Sequence, residues 1–425
     1  MAREMKDSGI EWIGEIPAEW SVERGKNILQ ILERPVKEDD GIITCFRDGE
    51  VTLRCKRREE GFTMSDKEFG YQGIEVGDLV VHGMDGFAGA IGVSDSRGKA
   101  TPVLNVMDSS QEKRFLMYYL RCAAHCGLFL SLSTGIRVRS CDTNWNKLKN
   151  ILYILPSIEE QQRIVSFIDD GCARIDSVIA QTRASIEEYK KLKQAVITQA
   201  VTKGIRPDRQ MKDSGVEWIG DVPIDWQILS LGTVTEAMRN GYVGPTKDLF
   251  FDEGVRYIQS LHIKEGRIDF SRHEYYVSEE WAKEHPKIKE NDVLIVQTGD
   301  IGSVGLVTGE YDGCNCHALI IATPKINLVY PEYLTYYLRS VVGRELLLYY
   351  KTGALLPHLN SGKIKFASVC VPSMEEQKEI ADYLNVEVSR IDSLLEKKES
   401  IIADLESYKK SLIYEYVTGK KEVPA

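Results

Sequence analysis

The chain repeats itself, and the repeat limits what it can fold into. Residues 5–20 read MKDSGIEWIGEIPAEW and residues 211–226 read MKDSGVEWIGDVPIDW, with 11 of 16 positions identical. A second pair lies further on. Residues 155–204, opening LPSIEEQQRI, align without a gap with residues 371–420, opening VPSMEEQKEI, and 15 of 50 positions are identical. A chain built as two copies of one plan folds as two related units, and repeats of this kind take precedence over any local reading. The plan is a short opening motif, a variable block, a proline and a long helical stretch. The variable blocks, 21–154 and 227–370, hardly resemble each other. Two fragments correspond: Gly77-Asp78-Leu79-Val80 with Asn291-Asp292-Val293-Leu294, and Thr134-Gly135 with Thr352-Gly353. Plain drift after duplication would blur frame and blocks alike. A retained frame with divergent blocks implies one job for the frame and two specificities for the blocks.

The frame is helical. Residues 159–202 hold no proline and one glycine, and apolar residues recur at helical spacing. Ser157 with Glu160 three residues on is a start signal, and Ser373 with Glu376 repeats it. Gly204, with Pro207 beyond, is the stop. At ~1.5 Å per residue each helix is about 60 Å long. No small domain buries a helix of that length, so its stripe needs a partner stripe. Two matched helices in one chain supply each other as an antiparallel, coiled-coil-like pair. The residues expected to pack between them are Ile175, Val178, Ile179, Ile186, Tyr189 and Val196 on the first, and Ile391, Leu394, Leu395, Ile402, Leu405 and Leu412 on the second. Thr182, Ser185 and Lys398 interrupt the seam.

Both blocks read as mixed α/β, with short apolar runs punctuated by glycine. Strands are expected around 42–46, 79–81 and 88–93, then a helix at 112–126. In the second block they are expected around 255–259, 293–296 and 304–307, then a helix at 331–349. The fold class is therefore α+β: two globular mixed α/β domains joined by two long antiparallel helices, with an internal pseudo-twofold. The expected division is 1–154, 155–204, 205–370 and 371–425.

The formal charge of −10 argues by itself against nucleic acid. It is not evenly spread. Residues 21–154 carry 19 Lys+Arg against 18 Asp+Glu, and residues 227–370 carry 15 against 17, so the acid sits mainly on the frame. Phosphates are met by Lys and Arg, and base edges by forked Arg, Asn, Gln or Lys. Candidates in the first block are Arg54, Lys56, Arg57, Arg58, Arg137, Arg139 and Lys147. In the second they are Arg239, Tyr242, Lys247, Lys351, His358, Asn360 and Lys363. The late clusters follow the Thr-Gly pair at equivalent places in both copies, which raises them above ordinary solvated charge.

Catalytic signatures are missing. There is no G-x-x-x-x-G-K-[ST] loop, no G-x-G-x-x-G after a strand, no Asn-Pro-Pro-aromatic or Asp-Pro-Pro-aromatic methyltransferase signature and no G-x-S-x-G elbow. Cys314-Asn315-Cys316-His317 is the one metal-like cluster, and it lacks the second ligand pair of a zinc site. Nine cysteines without regular spacing make no disulfide framework. No stretch approaches ~18 uncharged apolar residues, and the polar start lacks a signal-peptide core, so a cytoplasmic location is expected.

The residues also carry a resemblance. Ser-Gly-x-Glu-Trp-Ile-Gly-x-x-Pro-x-x-Trp from Ser8 and again from Ser214, Pro-Ser-x-Glu-Glu-Gln before a long helix, and Arg-Ile-Asp at 174–176 and 390–392 closely resemble the specificity subunit of type I restriction-modification enzymes. The resemblance runs the length of the chain. It implies two target recognition domains, each reading half of a bipartite asymmetric DNA sequence and spaced by the two helices. It implies two methyltransferase subunits and two restriction subunits as partners, no catalytic residue and no metal site in this chain, and S-adenosylmethionine, ATP and Mg2+ used by the partners. It places Thr134-Gly135-Ile136-Arg137 and Thr352-Gly353 on the recurring loop of the recognition domains. Leu355 stands where Arg137 does, so an arginine role there is confined to the first copy. Two other readings stay open from the residues alone: a structural adapter that binds no DNA, and an enzyme with an unrecognised motif.

Overall fold

The computed structural model describes residues 3–57, 69–132, 143–353 and 357–424. The chain forms two compact units, Met1–Thr182 with Ser400–Ala425, and Arg183–Glu399. The boundary cuts through both long helices, Ile158–Lys203 and Met374–Val417. Each unit therefore takes half of each helix, where the sequence reading had set the helices apart as segments of their own.

The first unit is built on a four-stranded antiparallel sheet, in the order Leu29–Ile31, Leu104–Ser109, Leu79–His82 and Ile91–Val93. The helix Lys113–His125 packs on it, burying Phe115, Leu116, Tyr119 and Leu120. The second unit repeats the sheet with Thr235–Asn240, Leu319–Pro324, Val293–Val296 and Val304–Leu306. The helix expected at 331–349 is two helices, Pro331–Arg339 and Val341–Tyr349. Ser340 makes the break, because its hydroxyl accepts from Gly343 N (3.0 Å) and caps the second piece. The second unit also carries its own additions, a three-stranded sheet of Val255–Ile258, Tyr276–Val277 and Asn315–Cys316 and a short helix Glu279–Glu284.

One retained fragment has a plain physical cause. Gly77 and Asn291 hold φ of +88° and +72° at matching turns, a conformation open to Gly and Asn and closed to most residues. The next residue, Asp78 or Asp292, accepts from the backbone N–H three residues earlier, Glu75 (2.8 Å) or Lys289 (2.9 Å). Each buried carboxylate then takes an arginine, Arg34 onto Asp78 and Arg239 onto Asp292.

The frame is the same in both units. The opening motif forms a two-stranded hairpin, Met5–Asp7 with Glu15–Pro17 and Met211–Asp213 with Asp221–Pro223, in the same register. Trp20 and Trp226 are buried beneath it. Each indole N–H donates to a glutamate at a helix start, Trp20 to Glu160 (3.1 Å) and Trp226 to Glu376 (3.2 Å). Arg3 and Arg209 close the arrangement from the other side, each paired to that glutamate. The next residue of the motif ties the helix start to its own domain. Gln161 accepts from Glu112 N (3.0 Å) and donates to Gln111 Oε1 and Pro156 O; Gln377 accepts from Tyr330 N (2.7 Å) and donates to Leu328 O and Pro372 O. Ser157 and Ser373 cap as the sequence leads one to expect, accepting from Glu160 N (3.2 Å) and Glu376 N (3.3 Å).

Within each unit the helix halves run antiparallel. In the first, Phe167 meets Tyr416 with ring centroids 4.5 Å apart, and Lys409 pairs with Asp176 (2.6 Å). In the second, Lys193 pairs with Asp392 (2.7 Å) and Lys398 lies over the Tyr189 ring (5.3 Å). The two ion pairs are the same pair twice, because Asp176 and Asp392 both end Arg-Ile-Asp, and Lys193 and Lys409 are equivalent by the repeat. Ile175, Ile179, Ile186, Ile391, Leu395 and Leu412 are buried; Tyr189, Val196, Leu394, Ile402 and Leu405 are half-buried. Val178 departs from the expectation. It is 46% exposed, because the inward stripe at that turn is taken by Ile175 and Ile179.

Candidate nucleic-acid interface

The two sheets end alike at one edge of each unit. In the first, His82 pairs with Leu104, and the chain then leaves through Gly83. In the second, Val296 pairs with Leu319 and continues into Gln297. The chain following the Thr-Gly segment rejoins at this same edge in both units. Thr143 donates to Gly83 O through its N–H (2.8 Å) and its hydroxyl (2.7 Å), and Leu359 N donates to Gln297 O (3.0 Å). The next residue caps a short helix in each: Asn144 accepts from Lys147 N (3.3 Å) and Asn360 from Gly362 N (2.9 Å). The Thr-Gly segments, of unlike sequence, thus return to matching positions at the ends of matching sheets.

The candidate residues fall into three groups. Some are committed to local carboxylates. Arg57 holds Asp48 (2.5 Å) and Glu50 (2.8 Å) and lies over the Phe46 ring, and its neighbour Lys56 donates to Ser96 (2.7 Å) and pairs with Asp95. Arg54 donates to Thr44 Oγ1 (3.3 Å). Lys56 and Arg57 of the densest basic run are therefore balanced by nearby acids, Asp48 and Glu50 from the turn of the same hairpin and Asp95 from a loop. Arg239 donates to Thr323 Oγ1 (3.1 Å), Lys287 O (2.8 Å) and the buried Asp292 (3.2 Å), which makes it a structural ion pair of the sheet. Arg57 has its pKa raised by the hydrogen bond to Asp48 and stays charged throughout.

A second group is not held by the ion pairs of the first. Lys247, Lys351 and Lys363 are exposed and make no ion pair among the described residues. Lys147, half-buried, follows the Asn144 cap. Asn360 sits at the rejoining edge, and His358 closes the loop base: Thr352 N donates to His358 O (2.9 Å), His358 N donates to Thr352 O (2.8 Å), and the Thr352 hydroxyl meets His358 Nε2 (3.2 Å). Tyr242 leaves the edge strand of the second sheet beside His317 and meets Trp281 edge-on, with centroids 5.0 Å apart. The third group, Arg58, Arg137 and Arg139, lies outside the described residues, as do Thr134, Gly135, Ile136 and Leu355.

Sequence reasoning missed the groove at this edge of the first unit. It encloses about 620 Å3 and is lined by Arg34, Tyr71, Gln72, Asn105, Trp145 and Asn146 among others. Its residues come from four separate segments, so no run in the sequence announces them. Cys314 and Cys316 are buried in an apolar cluster with Ile288 and Leu319, and burial raises both thiols, Cys316 to about 12. Among the described residues no group of three or more His, Cys, Asp or Glu is placed to hold a metal ion.

Comparison with known proteins agrees with this architecture. Residues 223–406 match the family described as type I restriction modification DNA specificity domain. The chain is 25% identical over 355 residues to the type I restriction enzyme EcoBI specificity subunit of Escherichia coli, spanning 81% of this chain and 73% of that one. It is 23% identical over 430 residues to the putative type I restriction enzyme MjaX specificity subunit of Methanocaldococcus jannaschii, spanning 97% and 96%. Among solved structures, it shares its fold with a chain from work on complex assembly and conformational transition of the type I R-M system, at TM-score 0.70 and 16% identity over 96% of this chain and 99% of that one. The HsdS subunit from Thermoanaerobacter tengcongensis follows at TM-score 0.54 and 17% identity, over 96% and 98%. With the doubled frame and relatives spanning nearly its whole length, the chain is similar throughout to type I restriction enzyme specificity subunits, and residues 223–406 match the DNA specificity domain of that family.

Proposed function

We propose that each unit of this specificity subunit reads one half of a bipartite, asymmetric DNA target through the sheet edge where the Thr-Gly segment rejoins. The observation that carries this is the matched anchoring of dissimilar segments, Thr143 on Gly83 and Leu359 on Gln297. A fixed mount with exchangeable contents is what two different half-sites require. Lys147, Lys247, Lys351 and Lys363 supply phosphate contacts, and Asn360, His358 and Tyr242 stand beside the edge that faces bases. Arg54, Lys56, Arg57 and Arg239 serve chiefly to hold their own strands in place.

The frame scaffolds the catalytic partners. Two methyltransferase subunits bind the two copies of the frame, and two restriction subunits complete the nuclease. The role of this chain is recognition without catalysis. S-adenosylmethionine, ATP and Mg2+ are used by the partners. Among the described residues no helix is long and apolar enough to cross a membrane.

The test is expression of the chain with its methyltransferase subunits in a methylation-free host, followed by single-molecule sequencing of the DNA. A methylated motif of two short blocks and a fixed spacer, present only with this chain, is the expected result. Methylation at an uninterrupted motif, or none from a stable complex that binds DNA without steep salt dependence, would overturn the reading.

A further inference from the structure

We infer that the groove at the sheet edge of the first unit reads an exocyclic amino group, adenine N6 or cytosine N4, with Gln72 and Asn105 as fixed acceptors. The inference rests on the reading that this unit binds DNA, and it adds which chemical group is recognised and by which atoms.

Two carboxamides in the groove are oriented by carbonyl partners. The Asn105 amide nitrogen donates to Val81 O (3.2 Å) and Thr143 O (2.8 Å). Both partners are carbonyls, which only accept, so the nitrogen must face them and Oδ1 must face away. Gln72 is held likewise, its Nε2 donating to Leu104 O (2.9 Å), which leaves Oε1 as the outward end. Neither oxygen has a hydrogen-bond partner among the described residues, where both side chains bond through nitrogen alone, and both line the groove. They are adjacent, because the carbonyl that holds Gln72 belongs to the residue before Asn105.

The remaining groups at the groove sharpen the selectivity. Glu33, exposed at the rim, adds another acceptor. Arg34, the guanidinium that would read guanine, is occupied by Asp78, with one of its nitrogens 3.1 Å from Oδ1. At Gln72 and Asn105 the groove thus presents two acceptors whose orientation is set before any ligand arrives. In the major groove of DNA the matching donors are the amino groups of adenine and cytosine, whereas guanine and thymine offer only acceptors there. An acceptor facing guanine O6 leaves two acceptors without a proton between them, so rejection is as strong as recognition. Asn105 also ties the edge to Thr143, where the Thr-Gly segment returns, so the reading atoms and the loop mount are one piece. The second unit has Ile320 at the matching strand position, and the device belongs to the first half-site alone.

The experiment uses the full chain assembled with its methyltransferase subunits. Wild-type complex is titrated with duplexes carrying its methylated motif, in which each adenine or cytosine is replaced in turn by purine or 2-pyrimidinone, which lack the amino group. One position in one half-site is expected to weaken binding roughly tenfold, the size of one lost base contact. Q72A is then expected to erase that sensitivity and to relax the same position in the sequenced motif. The other half of the motif stays unchanged and shows that the variant folds and assembles. Wild-type binding insensitive to every such replacement, or sensitivity fully kept in Q72A, overturns the inference. If Q72A yields no methylation at all, the wild-type titration alone decides. Absence of any bipartite motif with wild-type chain would instead sink the reading of the unit as a DNA-recognition domain.

Discussion

Removing Asp392 should destabilise the second unit far more than removing Asp176 destabilises the first, although the two residues are copies of each other. The reason lies in the lysine each one meets. Lys193 is 5% exposed, and its ammonium sits between Asp392 (2.7 Å) and Glu265. Lys409 is 30% exposed, and its partner Asp176 is 56% exposed. D176A leaves an ammonium that water can reach, so the expected loss is about 0–1 kcal/mol, as for surface pairs. D392A leaves a buried ammonium with only Glu265, itself 61% exposed. Loss of one partner from a fully buried pair costs roughly 3–5 kcal/mol, and the surviving Glu265 brings the expectation down to about 2–3 kcal/mol. K193M supplies the internal control. It removes the buried charge and leaves two carboxylates that reach solvent, so it should cost less than D392A. Hydrogen exchange resolved to the helix segments 383–399 and 167–182 reads each unit separately, which a single melting curve for two units does not. Equal losses for D392A and D176A, or a K193M loss larger than that of D392A, would refute the reasoning.

Other outcomes follow from the same geometry. E376Q removes the buried charge opposite the half-buried Arg209 while keeping an acceptor for Trp226, and should cost roughly 1–3 kcal/mol in urea denaturation; E160Q should cost less, because Glu160 and Arg3 are more exposed. Burial lowers the pKa of His82 and of His262, and both accept a backbone N–H on Nδ1, from Met84 and Asp85 for His82 and from Gln259 for His262. The unfolded chain then binds more protons than the folded one near pH 6.5, so stability is full above that pH and declines as pH falls through the lower folded values. H82Q should flatten this acid limb in a pH series of unfolding midpoints, and an unchanged limb would exclude His82 as its source. Deleting four residues within 175–197 removes about 6 Å of helix and should shift the preferred spacer of the target by about two base pairs on a spacer library; an unchanged spacer contradicts the helices' role as its ruler.

The frame was legible because its signals are local or repeated. The caps at Ser157 and Ser373, the stop at Gly204 and the paired stripes need only spacing and periodicity. The clasp of Arg3, Trp20 and Glu160 was missed, since its members lie up to 157 residues apart. A signal existed nonetheless: Arg3 and Arg209 stand at the same offset from the two opening motifs. The blocks were read only as far as their strand cores, because strand order is set by pairings such as His82 with Leu104 that no local pattern encodes. The partners of the basic clusters were hidden for a related reason. Asp292, which occupies Arg239, lies 53 residues away, and Asp48 and Glu50 reach Arg57 only once the turn of the hairpin forms, so a run of positive residues in the sequence is not a run of free charge in the fold.

The most direct test of the account is exchange of one variable block. Residues 227–370 would be replaced by the corresponding block of a relative with a different second block, and the methylated motif would be sequenced from cells carrying the chimaera and the methyltransferase subunits. The account predicts that one half of the motif changes while the other half is kept. A motif changed in both halves, or in neither, would contradict the claim that each unit reads its own half-site.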